Sequence, residues 1–320
     1  MSTPHEAPSS LGVLGDLAVE GMNRDLPRWY RHHGRHSLPW RLTRDPYAIL
    51  VSEVMLQQTQ VDRVIPYYNN WLGRWPTVAH LAAATPADLI RDWAGLGYNR
   101  RALHLHHAAR AIVERYDGRF PSDILSLRTL PGVGPYTAAA IASFAFEQPV
   151  PVADTNIARV LARSVHGIPH QRDLPGSAMQ ATAAALLPTR SARDHNLALM
   201  DLGALICRGR DPQCDSCPIR RHCSWHTNGH PPSAARPAQP TPPFETTARY
   251  ARGRIIHALR THPSLDEPTL ASLLPEPHRP NLPLYLAALA KDGLITQTDT
   301  QWSLPQHPVS PSPPRSVRRV

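Results

Sequence analysis

Lysine is nearly absent from this chain of 320 residues, which holds a single one, Lys291, among its 34 lysines and arginines. A lysine that attacks a carbon centre and forms a Schiff base is therefore excluded from everything upstream of residue 291. Apolar runs are short, and none nears the about 20 residues that a membrane-spanning helix needs. The first residues, MSTPHEAPSS, lack the hydrophobic stretch of a secretion signal. Cysteine is scarce as well, with all four in the short span 207–223. That clustering argues against a disulfide framework and for a metal site in a reducing compartment. Together these absences lead us to expect a cytoplasmic protein with no membrane contact.

What is present is positive charge. A formal net charge of +9 and a pI near 9.9 fit a polyanionic partner, because basic side chains displace the counterions condensed on phosphates. From residue 16 to 228 apolar residues recur at three- and four-residue spacings, most clearly over Asp45–Thr59, Asn99–Tyr116, Pro135–Phe146, Thr155–His166 and Arg193–Ile206. Such a pattern predicts an all-α domain. A proline-rich spacer over 229–246 follows, since proline at this density tolerates neither a regular helix nor an internal strand. Residues 247–305 read as a small winged-helix-like module with helices near Arg249–Arg260, Pro268–Leu274 and Leu284–Lys291, and a hairpin turning at Thr298–Asp299. The ends, 1–15 and 306–320, are too polar and proline-rich to pack and are expected to be disordered.

Three motifs carry chemistry. In the first, Cys207-x6-Cys214-x2-Cys217-x5-Cys223, one short loop after a helix delivers four sulfurs. Four thiolates so close can enclose one tetrahedral zinc ion or one cubane cluster. Arg208, Arg210, Arg220 and Arg221 decorate the loop and would face phosphates, or else form an ordinary solvated charge run. The second motif, Leu130-Pro131-Gly132-Val133-Gly134-Pro135-Tyr136-Thr137, opens an apolar helix. Two glycines around one aliphatic residue permit a tight turn whose backbone N–H groups can point at an anion. About eighteen residues after Tyr136 comes Val152-Ala153-Asp154-Thr155-Asn156, where Asp154 is either a helix cap or a functional carboxylate. In the third, Ser37-Leu38-Pro39-Trp40-Arg41 precedes Ser52-Glu53-Val54-Met55-Leu56-Gln57-Gln58-Thr59-Gln60. Glu53 stands among Ile49, Leu50, Val51, Val54, Met55 and Leu56, where desolvation would raise its pKa into the range of a general acid.

These motifs resemble those of the endonuclease III superfamily of DNA glycosylases, and LPWR with SEVMLQQTQ resembles the MutY-type adenine DNA glycosylases within it. The resemblance spans Leu26 to Cys223. It implies a two-lobed helix-hairpin-helix fold, a 4Fe-4S cluster on Cys207, Cys214, Cys217 and Cys223, and double-stranded DNA with a mispaired adenine as partner. The protein would then be a nucleoid-associated monomer that removes adenine opposite 8-oxoguanine or guanine.

Carried over position by position, Glu53 would protonate adenine and manage the attacking water, Tyr136 would orient the acidic centre, and Asp154 with Asn156 would stabilise the sugar cation. Gln58 and Tyr98 would wedge into the base stack, with Thr59 beside them. Trp40, Arg41, Leu56 and Val61 would wall the adenine pocket, and Gly132, Val133 and Gly134 would grip the backbone. The position of Tyr136 is lysine in bifunctional relatives, so a monofunctional enzyme is implied. Two departures stand out. Leu197 replaces a usual adenine-reading Gln or Glu, and the 8-oxoguanine-sensing domain common at the C-terminus of this family is replaced by the small module. The competing readings are a T·G mismatch thymine glycosylase of the same superfamily, which also carries tyrosine there, and a non-catalytic DNA-binding iron–sulfur protein.

Overall fold

The computed structural model describes residues 13–232 and 242–307. Of the ends assigned above to disorder, 1–12 and 308–320 lie outside the described residues, as does 233–241 of the proline-rich spacer, whereas Val13–Gly15 form the start of a helix. Among those described, the helices in chain order are α1 (Val13–His33), α2 (Pro46–Leu56), α3 (Val61–Arg74), α4 (Val78–Ala83), α5 (Pro86–Asp92), α6 (Arg100–Tyr116), α7 (Ile124–Arg128), α8 (Pro135–Phe144), α9 (Thr155–Ser164), α10 (Gly176–Ala185), α11 (Ala192–Leu205), α12 (Ser224–Thr227), α13 (Ala248–Thr261), α14 (Glu267–Ser272) and α15 (Leu282–Lys291). Three short strands complete the chain: β1 (Leu265–Asp266), β2 (Thr296–Thr298) and β3 (Gln301–Ser303).

Helix starts follow from short polar side chains that accept a backbone N–H otherwise left without a partner. Thr77 caps α4 through the His80 N–H, Thr85 caps α5 through Asp88, and Asp123 caps α7 through Ser126. Helix α2 is of another kind. Every residue from Tyr47 to Met55 is buried, as suits a helix that is apolar all round.

The chain forms two compact units, each built from two separate stretches. One comprises residues 1–46 and 135–237 and contains α1 and α8–α12. Asp201 on α11 is fully buried within it. The Arg41 guanidinium donates to both of its oxygens, at 2.6 and 2.7 Å, and Arg35 adds its Nε at 2.7 Å and its backbone N–H at 2.8 Å. Burial alone would raise the Asp201 pKa, but the hydrogen bonds and charge of Arg41, with Arg35, outweigh it and hold the carboxyl below its ordinary range. Its stabilising contribution is thus present above the unfolded-state value and lost as pH falls through the lowered one. Asp201→Asn would leave the Arg41 charge buried and half-paired. We expect a loss of about 3 kcal/mol in denaturant unfolding near neutral pH, and a gap to wild type that narrows on acidification.

The other unit comprises residues 47–134 and 238–320. Here the C-terminal module shares its core with α5 and α6. Ile255, Ile256 and Leu259 of α13, Leu286 and Leu289 of α15, and Trp302 of β3 pack in one cluster with Ala87, Ile90 and Leu103. Polar contacts join the same surfaces. The Ala87 N–H donates to the Pro305 carbonyl at 2.9 Å, and Arg260 donates to Ile90 O and Asn99 Oδ1. The module has three helices and a small antiparallel sheet in the order β1-β3-β2, with Trp302 registered against Leu265 and Gln297. The β2–β3 hairpin was expected from alternation, and its turn at Asp299 has φ +53°. Strand β1, two residues long, is too short to leave a pattern.

Candidate DNA-reading and glycosidic site

The residues singled out from sequence fall into two groups. Glu53, Leu56, Gln58, Thr59, Val61, Tyr98, Gly132, Val133 and Gly134 belong to the unit built on α2–α7, and Trp40, Arg41, Tyr136, Asp154, Asn156 and the four cysteines belong to the other.

In the first group Glu53 is 5 % exposed at the centre of α2. Beyond α2, Gln58 is exposed with φ +56°. Tyr98 is 41 % exposed with φ +46°. A left-handed backbone in a bulky side chain stores about 1–3 kcal/mol of strain and persists only where neighbours impose it. Arg101 imposes it here. Its buried guanidinium donates to the carbonyls of Val54, Met55 and Gln57 and to Thr59 Oγ1 on one side, and to the carbonyls of Leu96 and Gly97 on the other. It also lies over the Trp93 and Tyr98 rings at 5.3 and 5.6 Å. One cation thereby clamps the two loops that present Gln58 and Tyr98. Burial lowers its pKa to about 10, so it stays charged at neutral pH.

Sequence reasoning missed Arg101, because an arginine in an amphipathic helix reads as a solvated charge. Lysine cannot reproduce the planar fork. Arg101→Lys is therefore expected to cost about 3 kcal/mol in denaturant unfolding, and to speed hydrogen exchange in 56–60 and 96–98 more than elsewhere.

The turn between α7 and α8 explains one of its glycines from within. Gly132 has φ +76°, and a Cβ there would sit 2.6 Å from His104 Cβ, so only glycine fits. Val133 is buried and anchors the turn. Gly134 is exposed with open space around its missing Cβ.

In the second group Asp154 caps α9, its Oδ1 accepting the Ile157 N–H at 2.7 Å and its Oδ2 the Asn156 side-chain amide at 2.9 Å. Burial raises its pKa, against the opposing pull of those hydrogen bonds and of the Arg159 charge. Asn156 Oδ1 in turn accepts from Arg159, which also donates to Gly203 O and Cys207 O. Gly203 is obligatory for that approach of α9 to α11, since a Cβ would lie 2.7 Å from Asn156 Cβ. Asn196 holds the segment leading to Asp154. Its amide donates to Ser143 Oγ and Val150 O, and its carbonyl oxygen accepts the Val152 N–H. Neither Arg159 nor Asn196 was legible beforehand, because each is defined by what it touches far away in sequence. Trp40 and Leu197 are buried, Tyr136 is half-buried in the first turn of α8, and Arg41 is committed to Asp201.

All four cysteines line one partly open cavity, with Val160, Leu202 and Ile219 among its walls. Arg163 reaches Cys207 Sγ at 3.4 Å and the Arg208 and Gly209 carbonyls. Burial pushes the Cys217 thiol up to about 12 and Cys223 to about 11. Near Cys214, His226 and His230 bring ring nitrogens within 4.8 Å of its sulfur and of each other.

The helical turn-and-carboxylate scaffold and the cysteine-lined cavity define a class, the DNA-repair glycosylases. Residues 51–183 match the HhH-GPD superfamily of base excision DNA repair proteins. The chain is 43 % identical over 281 residues to the adenine DNA glycosylase of Mycolicibacterium smegmatis, covering 86 % of this chain and 92 % of that one. To the adenine DNA glycosylase of Mycobacterium tuberculosis it is 41 % identical over 311 residues, covering 94 % and 98 %. A thermostable thymine-DNA glycosylase structure superposes with a TM-score of 0.57 at 31 % identity, covering 68 % of this chain and 96 % of that one. The chain belongs to the adenine DNA glycosylase family, and it is a DNA N-glycosylase of base excision repair. The fold is the mostly helical one expected, with its small C-terminal sheet. No helix among the described residues is long and apolar enough to cross a membrane.

Proposed function

We propose that this enzyme hydrolyses the N-glycosidic bond of adenine mispaired with 8-oxoguanine or guanine, and that it does so without cutting the strand. The observation that carries the reading is Glu53, a carboxyl group 5 % exposed within a helix whose other residues from Tyr47 to Met55 are apolar or small and buried. A carboxyl group in such a setting suits proton donation to a leaving base. As the C1′–N bond breaks, its electron pair stays with the adenine, which takes the proton from Glu53. Positive charge builds on the sugar, where Asp154 offers an anion held by two hydrogen bonds. Tyr136 orients the acidic centre. Water then adds at C1′ and gives its proton to the Glu53 carboxylate, which restores the acid. With Lys291 the only lysine, no lysine in the helical domain can form a Schiff base with the sugar, and the abasic strand remains whole.

For DNA, Gly134 leaves space beside the first turn of α8, where backbone N–H groups can meet a phosphate. Gln58 and Tyr98 act as the wedge, with Thr59 beside them and Leu56 and Val61 as an apolar wall for the base. The four-sulfur set lining one cavity suits a 4Fe-4S cluster on Cys207, Cys214, Cys217 and Cys223. The cluster would brace the loop that carries Arg208, Arg210, Arg220 and Arg221. Its expected signature is a brown protein with about four iron and four sulfide per chain, and Cys217→Ser is expected to lose the colour. A colourless protein with one zinc, bound through Cys214, His226 and His230, would refute it.

The function is tested with purified protein, as a monomer, on duplexes holding A opposite 8-oxoguanine. Free adenine should appear, and the strand should break only after alkali. Thymine release from a T·G duplex without adenine release would overturn the reading.

A further inference from the structure

We infer that the C-terminal module forms part of the DNA-reading surface, through a ledge of Arg249 and Phe244 that continues the Tyr98 wedge and takes a nucleobase exposed when the duplex opens. The inference rests on Tyr98 being a wedge residue as proposed above.

The Arg249 guanidinium lies 4.2 Å from the Tyr98 ring centre and donates from Nη1 to the Tyr98 hydroxyl at 2.7 Å. The same guanidinium sits 5.4 Å from the Phe244 ring. Arginine on an aromatic face orients that face as well as adding charge. Tyr98, Arg249 and Phe244 therefore form one continuous strip, contributed by residues about 150 positions apart in sequence.

The strip is exposed. Tyr98 is 41 % and Phe244 50 % exposed, and Arg249 faces solvent. Two large aromatics and a cation left in water are costly as packing but suited to stacking a base beside a phosphate.

The strip is also anchored. Phe244 meets Tyr250 edge to face at 5.7 Å. The buried His278 donates from Nε2 to the Glu245 carbonyl at 2.7 Å and pairs through Nδ1 with the Tyr285 hydroxyl at 3.1 Å, fixing the approach to α13. On α6, Arg101 holds the strained Tyr98 backbone through Leu96 O and Gly97 O. Such a ledge gives the module a direct route to the lesion. Arg249 is a positioning residue for Tyr98, and Phe244 is the stacking surface.

The test measures binding of the full chain to three duplexes: fully paired, one carrying an abasic-site analogue, and one with a 2′-fluoro adenine opposite 8-oxoguanine that resists hydrolysis. Arg249→Ala and Phe244→Ala are each expected to weaken binding to the two opened duplexes about tenfold relative to the paired one, with Tm unchanged. Arg249→Lys should recover part of the loss. Arg249→Ala should add less than about twofold to Tyr98→Ala, because it acts through that ring. A 2-aminopurine placed beside the lesion should brighten less with either variant than with wild type.

Wild-type discrimination by both variants would overturn the ledge, as would equal losses on paired and opened duplexes or fully additive losses with Tyr98→Ala. If wild type prefers the abasic duplex in a ledge-dependent way yet ignores adenine opposite 8-oxoguanine, the ledge stands and the adenine reading falls.

Discussion

Glu53→Gln is expected to slow adenine release by about a hundred- to ten-thousandfold, while affinity for the mispaired duplex and Tm stay close to wild type. The amide matches the carboxyl in size and in its capacity to accept a hydrogen bond, so the packing of α2 is kept. What it lacks is a proton to give. The substitution also replaces an ionisable group by a neutral one at a site 5 % exposed, which does not raise the desolvation cost of folding. A fall in rate therefore reports chemistry and not unfolding. Single-turnover rates at saturating enzyme, read beside thermal melts, separate the two. Turnover within about tenfold of wild type would remove Glu53 from the reaction.

The fold alone does not choose the base. A thymine-DNA glycosylase superposes on this chain as a neighbour at 31 % identity, and tyrosine at position 136 suits both activities. The choice rests on residues, above all Glu53 within Ser52–Gln60, and on adenine DNA glycosylases that match nearly the whole chain. The match takes in most of the C-terminal module, since 94 % of this chain is covered.

The helices that carry the site were legible because their signals are local. Asn99–Tyr116 was read from spacing and forms as Arg100–Tyr116, and Thr155–His166 forms as Thr155–Ser164. Glu53 announced itself as a charge in an apolar run. What spacing could not reveal are contacts between distant segments. Arg101 looks like any surface arginine until its guanidinium is seen to hold two loops. Arg159 and Gly203 matter because α9 meets α11 closely, a fact absent from either stretch alone. The packing of the module on α5 and α6 is a third case. Proline density led us to expect a spacer but carried no information about where Ile255 and Leu286 would find their partners.

Asp154→Asn is the sharper test of the electrostatic part of the reaction, because here stability and activity should move in opposite directions. Asparagine caps a helix about as well as aspartate, so the bond to the Ile157 N–H survives, and only the Asn156 amide must turn. The charge is what is lost. With no anion to offset the developing sugar cation, release should fall by about a hundred- to a thousandfold. Folding should gain. The Asp154 pKa is raised by burial, which means the folded state binds the proton more tightly than the unfolded one and the ionised form opposes folding. Below the ordinary carboxylate range both proteins carry a neutral side chain, and their stabilities should coincide. Between the ordinary carboxylate value and the raised one the unfolded wild-type chain is ionised while the folded one still holds its proton, so the variant should pull ahead across that window and keep its lead above it. Wild-type activity should follow the same titration, dying away on acidification as the carboxylate is protonated. A variant that is both slow and less stable at pH 7 would make Asp154 a cap whose loss disorders α9, and the electrostatic role would have to pass to another group.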